Sequence, residues 1–360
     1  GIGGGCGSDG GNITISGGTV IAATAGDGAG IGGGGADKES KNAGAGGKIK
    51  ITGGKVLANS TFGHGIGGGI SKESGGHNGA NGSFSTGADG KAMIISKSIS
   101  DKNNQGSWQG IIFEVPNGNV YGNQELNEDF EIKEGQTLTI PAGITLTIHS
   151  GKTLIIKGKV RNFGTINGNV QIVENGKLLV PYPAPNVVID YRAEKLTGFN
   201  KDNSYEITPS GGNVETIDKP ADGKVDINTA WIGKNLSIMA KEDDSFLESE
   251  NQSLPIHTRP AKPIVNGVDE ANYGKNNGKI TGTTDKMQYT PYSSNAWKPC
   301  TEGETEGIAP GKYLVRIAPT ENSFASEAAE VAIKKIHLIT VENIGGGTAN
   351  ADKKEAYKDT

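Results

Sequence analysis

Helix-forming patterns, sulfur, histidine and aromatic rings are all scarce in this 360-residue chain, and each shortage removes a class of structure or chemistry. Leu, Met and Ala seldom recur at helical spacing, so no amphipathic helix can be traced and an all-β fold is expected. The only cysteines, Cys6 and Cys300, stand almost at opposite ends of the chain. That excludes a disulfide scaffold, and the two are not expected to pair. Five histidines show no metal-ligand spacing, and no apolar run is long enough to span a membrane as a helix. The 35 Lys and Arg are scattered through a chain of net charge −5, which leaves no electrostatic footprint for nucleic acid. An initiator Met and a signal peptide are also missing, and the chain opens inside a repeat, which reads as a segment of a longer protein.

What is abundant is glycine. Of the 58 glycines, 32 fall within the first 90 residues. Gly-Ile-Gly-Gly-Gly occurs at 1–5, 30–34 and 65–69, and between copies lies a second unit, Ile13 to Ala22 and then Ile49 to Ala58. A worn third copy runs from Ala92 to Ile99. Each unit holds two short strands joined by Gly-Gly, where the backbone must turn sharply. Such strands are too short for hairpins, but stacked copy upon copy they form parallel ladders with Ile13, Ile15, Val20 and Ile31 facing a core. A literal Gly-x-Gly-x-x-Gly can be read here, without the strand, helix and acidic residue that nucleotide binding requires. Residues 32–37 fit Gly-Gly-x-Gly-x-Asp, yet the nonapeptide period of calcium rolls is absent. Asp9, Asp27 and Asp37 are left as weak cation candidates, and no metal site or cofactor is assigned.

The segments after each Gly-Ile-Gly-Gly-Gly lengthen from 7 residues (6–12) to 14 (35–48) to about 22 (70–91). Insertions that grow while the core pattern stays constant should project from one side of a solenoid, and that side is the expected working surface. The candidate ligand-binding residues are therefore Lys38, Glu39, Lys72, Glu73, His77 and Asn78, set against the simpler reading that they only solvate long loops.

From Phe130 the pattern becomes an octad. Gly135, Gly143 and Gly151 recur with Leu138, Leu146 and Leu154 and with Ile140, Ile148 and Ile156. Each octad is one strand and one corner, so three make a triangular turn of roughly 24 residues. The pattern decays toward Leu178-Leu179-Val180, a stretch placed to cap the coil, while Trp108 and Ile111-Ile112-Phe113 form a packed junction between the two repeat types. Pro181, Pro183 and Pro185 end the solenoid. Short strands at 187–189, 205–207, 225–227 and 236–239 then have the spacing of a β-sandwich, with Trp231 in its core. The acidic run from Glu242 to Glu250 reads as a solvated hairpin tip. A second proline cluster leads to another sandwich, in which Gly307 to Ile317 resembles the tyrosine-corner segment of fibronectin type III folds, with Tyr313 as the corner and Trp297 in the core. Cys300 is expected near the loop after Trp297.

The fold class expected is thus all-β, a right-handed parallel β-helix followed by two small immunoglobulin-like β-sandwiches. The domains are 1–180 (glycine-rich repeats 1–100, octads 118–180), 186–258 and 260–335, with 336–360 as the start of a truncated further module. On the Gly28–Gly34 string, the Ile49–Ala58 unit and the segment from Lys279 to Ile317, the chain resembles the modular surface proteins of Gram-positive gut and soil bacteria. That resemblance implies export, display on the bacterial cell wall, and adhesion or carbohydrate binding; it carries over no functional residue.

Three functions remain. A non-catalytic adhesin, monomeric and binding a glycan polymer or host matrix, fits best. A pure spacer is the first alternative. The second is a polysaccharide lyase or hydrolase, since β-helices carry such enzymes; but that chemistry needs converging carboxylates, and the outward strand positions hold Thr, Lys and Ser. Residues 1–107 contain neither Trp nor Tyr, only Phe62 and Phe84, which argues against stacking-type sugar recognition in the glycine-rich region.

Overall fold

The structure, a computed structural model, describes residues 1–339, 345 and 355–357. Two compact units are present, one comprising 1–182 with 242–248 and the other 183–241 with 249–360.

The first unit begins as a three-sided parallel coil. One side stacks β1 (Ile2–Gly3), β4 (Ile31–Gly32) and β7 (Ile66–Gly67), a second β2 (Asn12–Ile15), β5 (Lys48–Ile51) and β8 (Ser83–Ser85), and a third β3 (Thr19–Thr24), β6 (Lys55–Ser60) and β9 (Met93–Ser96). Every pairing is parallel and in register with the repeat, as in Ile13 to Ile49 to Phe84. Ile31, Ile51, Val56, Ile66 and Ile94 fill the interior. Glycine is required where turns touch through backbone alone: a β-carbon on Gly32 would lie 2.0 Å from the Gly67 carbonyl oxygen, and φ there is +134°.

A second coil is built from the octads. Its sides are β12 (Gln124–Leu126), β15 (Thr145–Ile148) and β18 (Thr165–Asn167); β13 (Phe130–Ile132), β16 (Thr153–Ile156) and β19 (Asn169–Ile172); and β11 (Asn117–Tyr121), β14 (Thr137–Ile140), β17 (Lys159–Asn162) and β20 (Lys177–Leu179). Corners at Gly135, Gly143 and Gly151 adopt φ of +74° to +77°, and the residue after each donates to the carbonyl three positions back. Those are turns with glycine where a positive φ is needed. The offset from Phe130 to its partner Leu154 is 24 residues, whereas from Leu154 to Val170 it is 16. The coil tapers because corners are shortened, and 165–179 forms a last ladder turn rather than a separate cap.

The two coils are not one continuous helix. β10 (Gly110–Glu114) continues the first coil in parallel with β9, then turns through Val115-Pro116 and pairs antiparallel with β11, which starts the second. One eight-stranded sheet, β3-β6-β9-β10-β11-β14-β17-β20, therefore runs through both coils with its strand direction reversed in the middle. Successive residues of a strand face opposite sides. Ile94 and Ile112 belong to the first core, while Met93, Ile111 and Phe113 belong to the second. The coils consequently pack on opposite faces of their common sheet, and β10 is buried on both. One row of register partners, Ile21–Leu57–Ile95–Phe113–Gly118–Leu138, passes from solvent into the second core. Ile21 is 71% exposed and Leu138 fully buried.

Residues 242–248 join this unit rather than forming a solvated tip. Glu242 accepts from Arg161 Nη1 at 2.5 Å, Glu248 from Nη2 at 3.4 Å, and Lys177 Nζ lies 3.6 Å from Asp244. Outward-facing cations on β17 and β20 thus meet the acidic run, and Leu247 is fully buried beneath it.

The second unit holds two sandwiches of identical strand order. The first pairs β21 (Val188–Asp190), β22 (Lys195–Thr197) and β25 (Lys224–Asp226) in one sheet, and β24 (Glu215–Ile217), β23 (Tyr205–Pro209), β26 (Asn235–Ala240) and β27 (Gln252–Pro255) in the other. Its successor pairs β28 (Asn266–Val268), β29 (Gly278–Thr283) and β32 (Gly303–Ile308) against β31 (Lys298–Pro299), β30 (Met287–Pro291), β33 (Gly311–Ile317) and β34 (Ala329–Ile333). All pairings are antiparallel, in the manner of immunoglobulin and fibronectin type III folds. Tyr313 Oη donates to the Ala309 carbonyl at 2.9 Å, completing the expected corner. Trp231 is buried, with Nε1 donating to Glu215 at 3.1 Å. Trp297 is not in the core: it is half-exposed and its ring lies under the Arg316 guanidinium, 3.8 Å away. Cys300, three residues on, is the buried one, packed among Ile280, Tyr313 and Val315. Both thiols are free.

Between the sandwiches, Arg259 donates to both carboxylate oxygens of Glu194, at 2.7 and 2.5 Å, and to the Ala325 carbonyl at 3.1 Å. Tyr191 meets Phe324 edge-on at 4.7 Å. Beyond them, β35 (Ile336–Leu338) pairs with β36 (Glu355–Tyr357). Residues 340–344, 346–354 and 358–360, on which a further module was expected to begin, lie outside the described residues.

Candidate functional site

The candidate surface is built on the glycine rungs of the first coil. Gly34 donates to the Ser8 carbonyl and Gly69 to the Gly44 carbonyl, so Ser8, Gly44 and Gly79 occupy equivalent positions in successive turns. Between these fixed points the first turn has only Cys6 and Gly7, whereas the next two have 35–43 and 70–78, nine residues each by subtraction. The insertions are equal and do not lengthen. The sequence reading overlooked β8, whose Phe84 takes the core place of Ile13 and Ile49 between two serines; residues 83–91 are therefore not part of a projecting loop.

These insertions lie on one side of the coil and on each other. Ala43 N–H donates to the His77 carbonyl at 2.9 Å, His77 N–H to Asn42 Oδ1 at 3.0 Å, and Ser71 Oγ to the Lys41 carbonyl at 2.6 Å. Asp37 nucleates the first insertion by accepting from the Glu39 and Ser40 amides at 3.0 and 2.7 Å. The Ser40 amide, with the Cys6 thiol beside it, holds the Asp37 carboxyl down at about 2. That negative neighbour in turn raises the Cys6 thiol.

The six candidate residues divide. Lys38, Glu39 and His77 point their side chains to solvent on these insertions. Asn78 is exposed but structural, accepting from the Ser71 amide at 2.8 Å. Lys72 turns back onto the coil: its Nζ sits 3.0 Å from Asp27 Oδ1 and 2.8 Å from the centre of the Phe62 ring. Glu73 is half-buried, its amide donating to Ser71 Oγ at 3.2 Å and its carbonyl accepting from Gly76. Lys38, Glu39 and His77 thus form the free polar face, and Lys72, Glu73 and Asn78 hold its support. Asp9 and Asp27 are likewise engaged, Asp9 with the Ala45 amide at 2.7 Å. Among the described residues no three metal-ligating side chains converge, and no helix is long and apolar enough to cross a membrane.

The Trp and Tyr rings missing from the glycine-rich region occur where the two coils meet. There Trp108, Tyr121 and Asn119 line a recess, and the sequence signal that could have found it is the cluster of Trp, Tyr and Asn flanking the apolar junction.

Strand pairing and core define the class, an all-β chain that joins a parallel β-helix to immunoglobulin-like sandwiches. No family model matches the chain, and no curated protein does. Among solved structures, the FN1-FN3 domains of chicken CNTN1 match with 13% sequence identity over 44% of this chain and 72% of that one, at a TM-score of 0.15. The likeness is distant, and the sandwich fold rests on the strand order given above.

Proposed function

We propose that this chain is a non-catalytic binding module of a bacterial surface protein, which holds a polymeric glycan or matrix protein on the insertion side of its first coil. The observation that carries this reading is the mutual hydrogen bonding of 35–43 and 70–78, which presents Lys38, Glu39 and His77 from a rigid support. Loops fixed by a scaffold bind without the ordering cost of free ones. A single polar contact is worth only about 0.5–1.5 kcal/mol, so a repetitive ligand or multivalent display is needed to hold a cell. The test is a glycan and matrix-protein array probed with the chain and with a variant whose insertions are cut to the Cys6-Gly7 length of the first turn. Retention by the parent and markedly weaker retention by the folded variant is expected. Undiminished binding by the variant would move the contact elsewhere.

A spacer is the second reading, favoured by Arg259, which ties one sandwich to the next through Glu194 and Ala325.

A further inference from the structure

We infer that the recess where the two coils meet binds one pyranose residue of a saccharide. This rests on the reading of the chain as a glycan binder and adds a second contact, separate from the insertions. The recess exists because the strand direction reverses. The first coil covers its face of the common sheet only as far as the hairpin of β10 and β11, and the second coil lies on the other face. A step of about 330 Å³ is left beside β11, lined by Trp108, Ile112 and Tyr121 together with Lys102, Glu114 and Asn119. Ligand pockets begin at roughly 300 Å³, so it suits a single ring and not a long acyl chain or a folded partner.

Its shape is fixed from behind. Trp108 is 2% exposed and wedged edge-on between Phe84 at 5.0 Å and Tyr121 at 5.5 Å. Gln105 Nε2 donates to Tyr121 Oη at 2.6 Å and orients that ring. Glu114 is held by the Ile99 amide and by Lys102 Nζ, each at 2.9 Å. Asn119 sits opposite Ile112 in the sheet, and its side-chain amide makes no hydrogen bond among the described residues. The Trp108 indole N–H is buried with no acceptor.

The chemistry of the lining selects the ligand. A pyranose presents C–H faces that pack on the half-buried Tyr121 ring, and hydroxyls that both donate and accept. Asn119 offers a donor and an acceptor, Lys102 a donor and Glu114 acceptors, which together match a polyol. A hydrocarbon would leave the Asn119 side chain unpaired and desolvated.

Titration of the ¹⁵N-labelled chain with neutral gluco-, galacto-, manno- and N-acetylhexosamine oligosaccharides tests this, because Trp108, Trp231 and Trp297 give three indole resonances. A saccharide that binds is expected to move the Trp108 indole signal. Asn119→Leu should weaken that saccharide at least tenfold, with Glu114→Gln as the second variant should the first fail to fold, and trimming the insertions should leave it bound. A saccharide that binds with the Trp108 signal unmoved and with Asn119→Leu and Glu114→Gln unaffected would overturn the recess while leaving the glycan reading in place. No response to any saccharide in the set would overturn the recess; retention of a glycan or matrix protein on the array would then keep the broader reading alive.

Discussion

Phe113 occupies the space that a side chain on Gly118 would need. The two are register partners across the β10–β11 hairpin, and a β-carbon on Gly118 would stand 2.6 Å from the Phe113 ring. The hairpin that reverses the sheet thus depends on a missing side chain beside a large one. Gly118→Val should cost about 1–3 kcal/mol through overpacking. Chemical denaturation followed by Trp fluorescence checks it, and an unchanged midpoint would mean the ring does not lie there.

The row containing both residues predicts a gradient. Leu138→Ala, in the closed core of the second coil, should cost about 2–5 kcal/mol. Ile21→Ala, five strands away in the same row but exposed, should stay within about 0.5 kcal/mol. Equal effects would contradict the assignment of the two coils to opposite faces.

Asp37 sets the acid limit of the insertion side. Its carboxyl is held at about 2 in the folded chain against an ordinary 3.8, so the order it confers is fully present above about pH 4 and is lost as pH falls through 2. Amide exchange of Glu39 and Ser40 should rise in that window. Asp37→Asn should raise it at neutral pH without lowering the stability of the β-helix core.

Glu194 behaves likewise between the sandwiches. The Arg259 guanidinium holds its carboxyl below the usual range, and so the tie is intact above the ordinary glutamate pKa and loosens as pH drops below it. Glu194→Gln is expected to widen the distribution of distances between spin labels on the two sandwiches at pH 7. An unchanged distribution would assign their alignment to Tyr191 and Phe324 instead.

Much of this architecture is legible in sequence because a ladder repeats its demands. Leu138, Leu146 and Leu154 recur every eighth residue since each faces one core from one strand, and Tyr313 announces its corner through the Pro310-Gly311 ahead of it. Other features were hidden for physical reasons. β8 contributes a single apolar side chain, Phe84, between serines, too short a stretch for its alternation to stand out. The reversal of the sheet is masked because β10 is buried on both faces, which turns Ile111-Ile112-Phe113 into a plain apolar run; only Pro116-Asn117-Gly118 hints at a turn. Trp297 reads as core by its size, yet stacking on Arg316 satisfies it at the surface. Lys72 and Lys38 stand in the same Lys-Glu-Ser motif, and nothing local tells which will be drawn back onto Phe62 and Asp27.

Affinity electrophoresis through gels cast with a panel of plant, bacterial and host polysaccharides, followed by measurement of chain length in each gel, tests binding without catalysis most directly. Retardation on at least one polysaccharide, whose chain length is unchanged after prolonged contact, is the predicted result; shortened chains, or free migration through every gel together with no retention on immobilised matrix proteins, would contradict it.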